Sequence, residues 1–274
     1  MTGRVPILEA ARAGYAHFAR TIAWSAIAAV LIGGPSGAAT WVALGAVNAR
    51  DTLGWLGWSL LSLLLTLPFL AAHLRVAARG EPFSLSVGAD ELRLLGAQIA
   101  LNGFMVIVVM VGLFFSGFLM VFALNLAGVT LPQSGQPDAA SLQAALGARG
   151  VIAASLAFLP LFLVLAWIGL RLLLVAPATI AARRVRVFET WGWTKGNVAG
   201  LLASVLAVVV PLGLLLGGFG AVLQALLGVS ADPATRLGYA GLAYECLTGM
   251  ASLLLVAGPL LGVSGYVYRG LNPE

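Results

Sequence analysis

From Arg171 to Asn197 the chain reads RLLLVAPATIAARRVRVFETWGWTKGN. An apolar run with one arginine inside it ends near Ala178, a basic aromatic segment follows, and a second apolar run opens at Val198. This is the pattern of a connector between two membrane helices, because short loops rich in Lys and Arg stay cytosolic and Trp settles at the headgroup level. Arg183, Arg184, Arg186 and Lys195 alternate with Val185, Val187, Phe188, Trp191 and Trp193, and only Glu189 offsets them. Such a segment suits the membrane interface, and it is expected to lie flat there until Gly196 ends it and Val198 starts the next span.

Outward from the connector, composition agrees. A mean hydropathy of +1.01 with 9% charged residues leaves too little polar surface for a water-soluble globule of 274 residues, where roughly 25% charged is usual. The expectation is an all-α protein: a polytopic transmembrane helical bundle, one integral membrane domain over residues 1–274, with no soluble domain. The net charge of +5 is spread over short connectors, so no basic domain exists for nucleic acid. Anionic phospholipid on the cytosolic face is the expected partner. Cys246, the sole cysteine, lies in an apolar run and offers neither a disulfide framework nor a thiolate metal site.

A span needs about 20 apolar residues. Six stretches qualify: Thr21 to Val47, Trp55 to His73, Ala97 to Val129, Val151 to Ala178, Val198 to Leu227, and Leu237 to Tyr268. The first contains Gly33-Gly34-Pro35, which reads either as a kink or as a re-entrant break, with the kink preferred. Before it, Ile7, Leu8, Ala11, Tyr15 and Phe18 fall at helical spacing, so an amphipathic interfacial helix is expected to lead into a retained, uncleaved anchor. With both termini inside, the cytosolic segments carry Arg4, Arg12, Arg20, Arg75, Arg79, Arg93, Arg183, Arg184, Arg186, Lys195 and Arg269, against Arg50, Arg149 and Arg236 outside. Eleven against three sets the orientation. The outer loop from Thr130 to Gly150 ends in AASLQAALGARG, which can form a short helix. AARGEPFSLS from Ala77 and AARRVRVFET from Ala181 resemble one another weakly, each following an inward-running span.

Catalytic groups are sparse. His17 and His73 have no further ligand at metal spacing, so no metal site and no cofactor is expected. Asp90-Glu91 reads as acidic residues complementing a helix N-terminus. No nucleophile elbow, phosphate loop or dinucleotide fingerprint is present. Two ionisable residues fall inside spans and are candidates by that fact. Arg171 is read as an anchor or headgroup ligand that snorkels toward the inner surface, and Glu245 as a polar contact near the outer mouth or a proton or ion site. Pro35, Pro68, Pro160, Pro211 and Pro259 interrupt five spans. Gly33/Gly37, Gly213/Gly217 and Gly258/Gly262 have the GxxxG spacing that lets helices approach closely, within one chain or in a homo-oligomer or with another membrane protein.

The connector also resembles the Arg, then Pro, then S-W-x-x-T-x-G pattern of a bacterial six-helix membrane-domain family. That family includes the membrane domain of some glycerophosphoryl diester phosphodiesterases and many stand-alone inner-membrane proteins. The matching positions are Arg171, Pro177, Trp191, Thr194, Lys195 and Gly196, with Thr190 where the family commonly has Ser, and Arg79-Gly80-Glu81 is similar to its first connector. The resemblance implies a six-helix membrane fold. It does not imply phosphodiesterase activity, since no acidic metal-binding hydrolase domain is found in these residues. The expected role is a non-enzymatic protein of a bacterial inner membrane that binds lipid or a partner, through Arg171, Arg183, Arg184, Arg186, Trp191, Trp193 and Lys195. The alternative is a small transporter or channel with a polar mid-membrane cavity.

Overall fold

The structure is a computed structural model and describes residues 5–126, 128, 139–230, 232, 235, 236 and 238–271. Among them there are helices and no strand. Six helical stretches are long and apolar enough to cross a membrane: Ile7–Asn48, Thr52–Arg79, Ala89–Leu126, Gly147–Ala182, Val198–Leu227 and Tyr239–Leu271. The chain is a multi-pass membrane protein.

The first stretch does not break at Gly33-Gly34-Pro35. Helix α1 (Ile7–Ala28) passes through a π-helical turn (Ala29–Gly33) into α2 (Gly34–Asn48), with Gly33 and Gly34 both right-handed helical. The π turn has a physical reason. A proline ring collides with the carbonyl four residues back, here that of Leu31, and the wider turn makes room. The last stretch repeats the device: α9 (Tyr239–Ser252), a π turn (Leu253–Ala257), then α10 (Gly258–Leu271) with Pro259 in its first turn.

Between them run α3 (Thr52–Leu74), capped by the Asp51 carboxylate on Gly54 N–H at 2.9 Å and extended by a π turn (Arg75–Arg79), and α4 (Ala89–Leu126). Next come α5 (Ala139–Arg171), α6 (Val175–Ala182), the short α7 (Glu189–Trp193) and α8 (Val198–Leu227). Gly147, at φ 55°, breaks α5 near its start, so residues 139–146 form the short helix expected at the end of that loop. Residues 129–138 of the same loop lie outside the described residues.

The chain divides into two compact units. Residues 99–170 form one, in which Gly112 lets the Leu161 side chain come close and Phe114 meets Phe118 edge-on, ring centroids 4.9 Å apart. Residues 1–98 and 171–274 form the other, which holds every candidate site residue. Its core includes Leu67, Ala71, Leu74, Leu94 and Ile180.

In lipid the hydrophobic effect does not drive helix pairing, so close packing of small residues has to. The buried stripe of α1 shows this: Ala10, Ala11, Gly14, His17, Thr21, Ser25 and Ala28, of which only Ala11 belongs to the apolar set that the spacing singled out. Ile7, Leu8 and Tyr15 are exposed instead. Large apolar side chains there suit lipid contact, whereas small ones admit α10. A Cβ on Gly262 would stand 2.6 Å from His17 Cβ, and one on Gly33 2.7 Å from Met250 Cα. Gly33/Gly37 and Gly258/Gly262 thus serve packing within the chain, while Gly213 and Gly217 face open space.

Both basic connectors share one end of this unit with the start of α1 and the end of α10. Val5 N–H donates to Asn197 Oδ1 at 3.1 Å, Tyr266 O–H donates to Glu9 Oε2 at 2.9 Å, and Arg79 donates to the Ile180 carbonyl.

Candidate functional site

The first connector folds around ion pairs. Gly80, at φ 70°, ends the π turn, and the chain runs on without regular structure to Gly88, where α4 begins. Glu91 reaches back to accept from Gly88 N–H at 2.8 Å, half of a capping box. Its other oxygen accepts from Arg75 at 2.7 Å, with both side chains about nineteen-twentieths buried. Asp90 accepts from Arg79 at 2.8 Å and from Arg93 at 2.9 Å. The acidic pair at this helix start therefore does more than complement a dipole: it neutralises arginines that α3 buries.

These pairs form part of the wall of a cleft of about 450 Å³, lined by Arg75, Arg79, Arg93, Ser84, Ser86, the acids Glu81, Asp90 and Glu91 and, from the second connector, Arg183. Arg183 gets there by a bend. It ends α6 in the left-handed region, φ 54° and ψ 27°, a conformation uncommon for a residue with a side chain and most often seen where function or a turn demands it. Val185 of the second connector comes close to Gly96 in the first turns of α4. The two arginines of the paired AAR sequences, Arg79 and Arg183, thus meet at one cleft.

The rest of the second connector separates into an inward and an outward set. Arg184 and Lys195 are exposed. Arg186 is not: it is 5% exposed, pairs with Glu189 at 3.2 Å, stands 5.9 Å over the Trp193 ring, and its backbone N–H donates to Thr179 Oγ1 at 3.2 Å. The segment is helical only over Glu189–Trp193, because Thr190 and Thr194 turn into the protein. Thr194 O–H donates to the Arg171 carbonyl at 3.3 Å, and the Arg171 guanidinium lies 4.9 Å from the Trp191 ring centre. Arg171 meets Trp191 and Thr194, neighbours on one turn that lie 20 and 23 residues further along the chain, in one buried-to-half-buried contact in which Arg171 is 9% exposed. Trp193 lies against Tyr268 of α10.

At the other end, Glu245 pairs with Arg236 at 3.0 Å. Arg236 also stacks on Tyr244 at 4.4 Å, and its carbonyl accepts from Trp41 Nε1–H at 2.8 Å. This places Glu245 in a contact that ties the α8–α9 connection to α2.

One constellation escaped sequence reasoning. His17 Nε2 and His73 Nδ1 share a hydrogen bond at 2.9 Å, and His73 Nε2 lies 3.2 Å from Ser25 Oγ, which donates to the Thr21 carbonyl. Phe69 and Phe83 flank the His73 ring. The only sequence hint is that His17, Thr21 and Ser25 recur every four residues on one helix face. Among the described residues no group of three or more His, Cys, Asp or Glu side chains could hold a metal ion.

Comparison with known proteins returns no matching family model, no matching curated protein and no matching solved structure.

Proposed function

We propose that this is a non-enzymatic inner-membrane protein of a bacterium, with both termini in the cytosol, that engages anionic phospholipid through its two basic connectors. One observation carries the reading: the start of α1, both connectors and the end of α10 share one end, where Arg183, Arg184 and Lys195 are exposed beside half-buried Trp191 and Trp193. Cations close to an anionic leaflet gain about 1 kcal/mol each, and indole rings prefer the same depth. The resemblance of Arg171, Pro177, Trp191, Thr194 and Gly196 to a six-helix inner-membrane family supports the same reading.

Replacing Arg183, Arg184 and Lys195 together by Gln tests it; Arg186 is spared because its burial would confound the result. Retention of anionic lipid in nanodiscs should fall, the loss should shrink at high salt, and the misoriented fraction should rise. Unchanged retention at low salt would refute the proposal.

A second reading, a small transporter, is favoured by the buried His17, His73 and Ser25 chain within proline-interrupted helices. Proton or solute flux in proteoliposomes that is lost on replacing His73 would support it over the first.

A further inference from the structure

We propose that the cleft between the two connectors is a dedicated site for the phosphate of an anionic phospholipid headgroup, with Arg183 as its principal ligand. This rests on the lipid-binding reading above and makes it specific to one place.

The cleft holds more cation than its acids consume. Glu91 is spent on Arg75 and Gly88, and Asp90 on Arg79 and Arg93. Glu81 takes a longer contact, 3.5 Å, with Arg79. Arg183 is exposed, lines the cleft, and makes no side-chain ion pair or hydrogen bond with any described residue. Its guanidinium fork suits a phosphate, which can accept two parallel N–H bonds. Ser84 and Ser86 line the same cleft, and their hydroxyls make no hydrogen bond with any described residue. A phosphate seated here would meet a guanidinium and two hydroxyls beside a wall of compensated charge. The left-handed backbone at Arg183 fits this: the chain accepts an uncommon conformation at the residue whose side chain completes the cleft.

The surroundings favour a lipid over a soluble phosphate. Ser84 and Ser86 line the cleft while Leu85 and Val87 do not, and these two are 40% and 83% exposed. On the second connector Val185 and Phe188 are exposed as well. Leu85, Val87 and Val185, each within two residues in sequence of a residue that lines the cleft, would sit at the acyl boundary beside a headgroup. A free phosphate would gain nothing from them.

The test uses the full chain in phosphatidylcholine nanodiscs doped with phosphatidylglycerol, with retained lipid read by native mass spectrometry. Arg183→Asn removes the guanidinium while tolerating positive φ, and should lower phosphatidylglycerol retention about tenfold. Ser84→Ala with Ser86→Ala should lower it a few-fold, and carries the test if the Arg183 variant does not fold. Lys195→Gln, on the same connector but outside the cleft, should change it less than about twofold. Inorganic phosphate should not displace the lipid. Equal losses for Arg183→Asn and Lys195→Gln would overturn the cleft while leaving a diffuse basic face intact. Displacement by inorganic phosphate would overturn the lipid as occupant. Full retention in the triple Gln variant would bring down the broader reading too.

Discussion

His17 Nε2 lies 2.9 Å from His73 Nδ1 across 56 residues of sequence, and both rings are sealed from the surroundings, 3% and 0% exposed. Neutral imidazole has one donor and one acceptor, so each ring completes the other, and Ser25 engages the far nitrogen of His73. The pair clamps α1 to α3 at the level where Gly262 and Gly258 of α10 press against the same two rings.

The clamp predicts a particular pattern of losses. His17→Phe should strand the His73 nitrogen and cost about 1–3 kcal/mol, whereas His17→Phe combined with His73→Phe should cost less than the sum of the singles. Thermal unfolding of the four proteins in one detergent checks it. Additive losses would mean that the two rings contribute independently.

Breaking the buried pair in the cleft wall should be more damaging than breaking an exposed one. Glu91→Ala takes its closest carboxylate from the buried Arg75, a change that typically costs about 3–5 kcal/mol, while Arg184→Ala breaks only the exposed 3.7 Å pair with Glu189, leaves Glu189 on Arg186, and should cost about 0–1 kcal/mol. Denaturation midpoints of the two variants should differ accordingly.

Glycines of equal spacing should not be equal in effect. Gly262→Leu drives a side chain into His17 and Gly33→Leu one into Met250, each costing at least about 1–3 kcal/mol by overpacking. A Cβ at Gly213 meets nothing within 4 Å, so Gly213→Leu should be tolerated. Yield and melting temperature after detergent extraction separate the two classes.

Sidedness can be read directly. In a chain with Cys246→Ser, a cysteine at Arg184 should react with a membrane-impermeant maleimide only after the cytosolic face is opened, and one at Ser230 should react in intact cells. The opposite result would reverse the orientation while leaving the fold untouched.

Much of this fold is legible in the amino-acid sequence because the demands of lipid are local. Every backbone group inside the hydrocarbon must bond within its own helix, so about 20 apolar residues in a row suffice to place a span, and the six expected stretches agree with the observed helices to within their ends. Val198 does open α8, and Gly196 does stand at positive φ before it. The exposure of Arg183, Arg184 and Lys195 follows from the same local logic. What the sequence leaves open is rotation. In lipid an apolar face gains little by turning inward, so the hydropathy pattern does not say that α1 buries Gly14 and His17 and shows Leu8 and Tyr15 outside. Only the packing of small residues on α1 and α10 decided that, and with it the meeting of His17 and His73. The cleft is tertiary in the same way. Arg79 and Arg183 are brought together by α6 packing on the end of α3, and Arg186 is turned inward by Glu189 and Trp193, because a guanidinium goes wherever carboxylates and aromatic faces lie within reach.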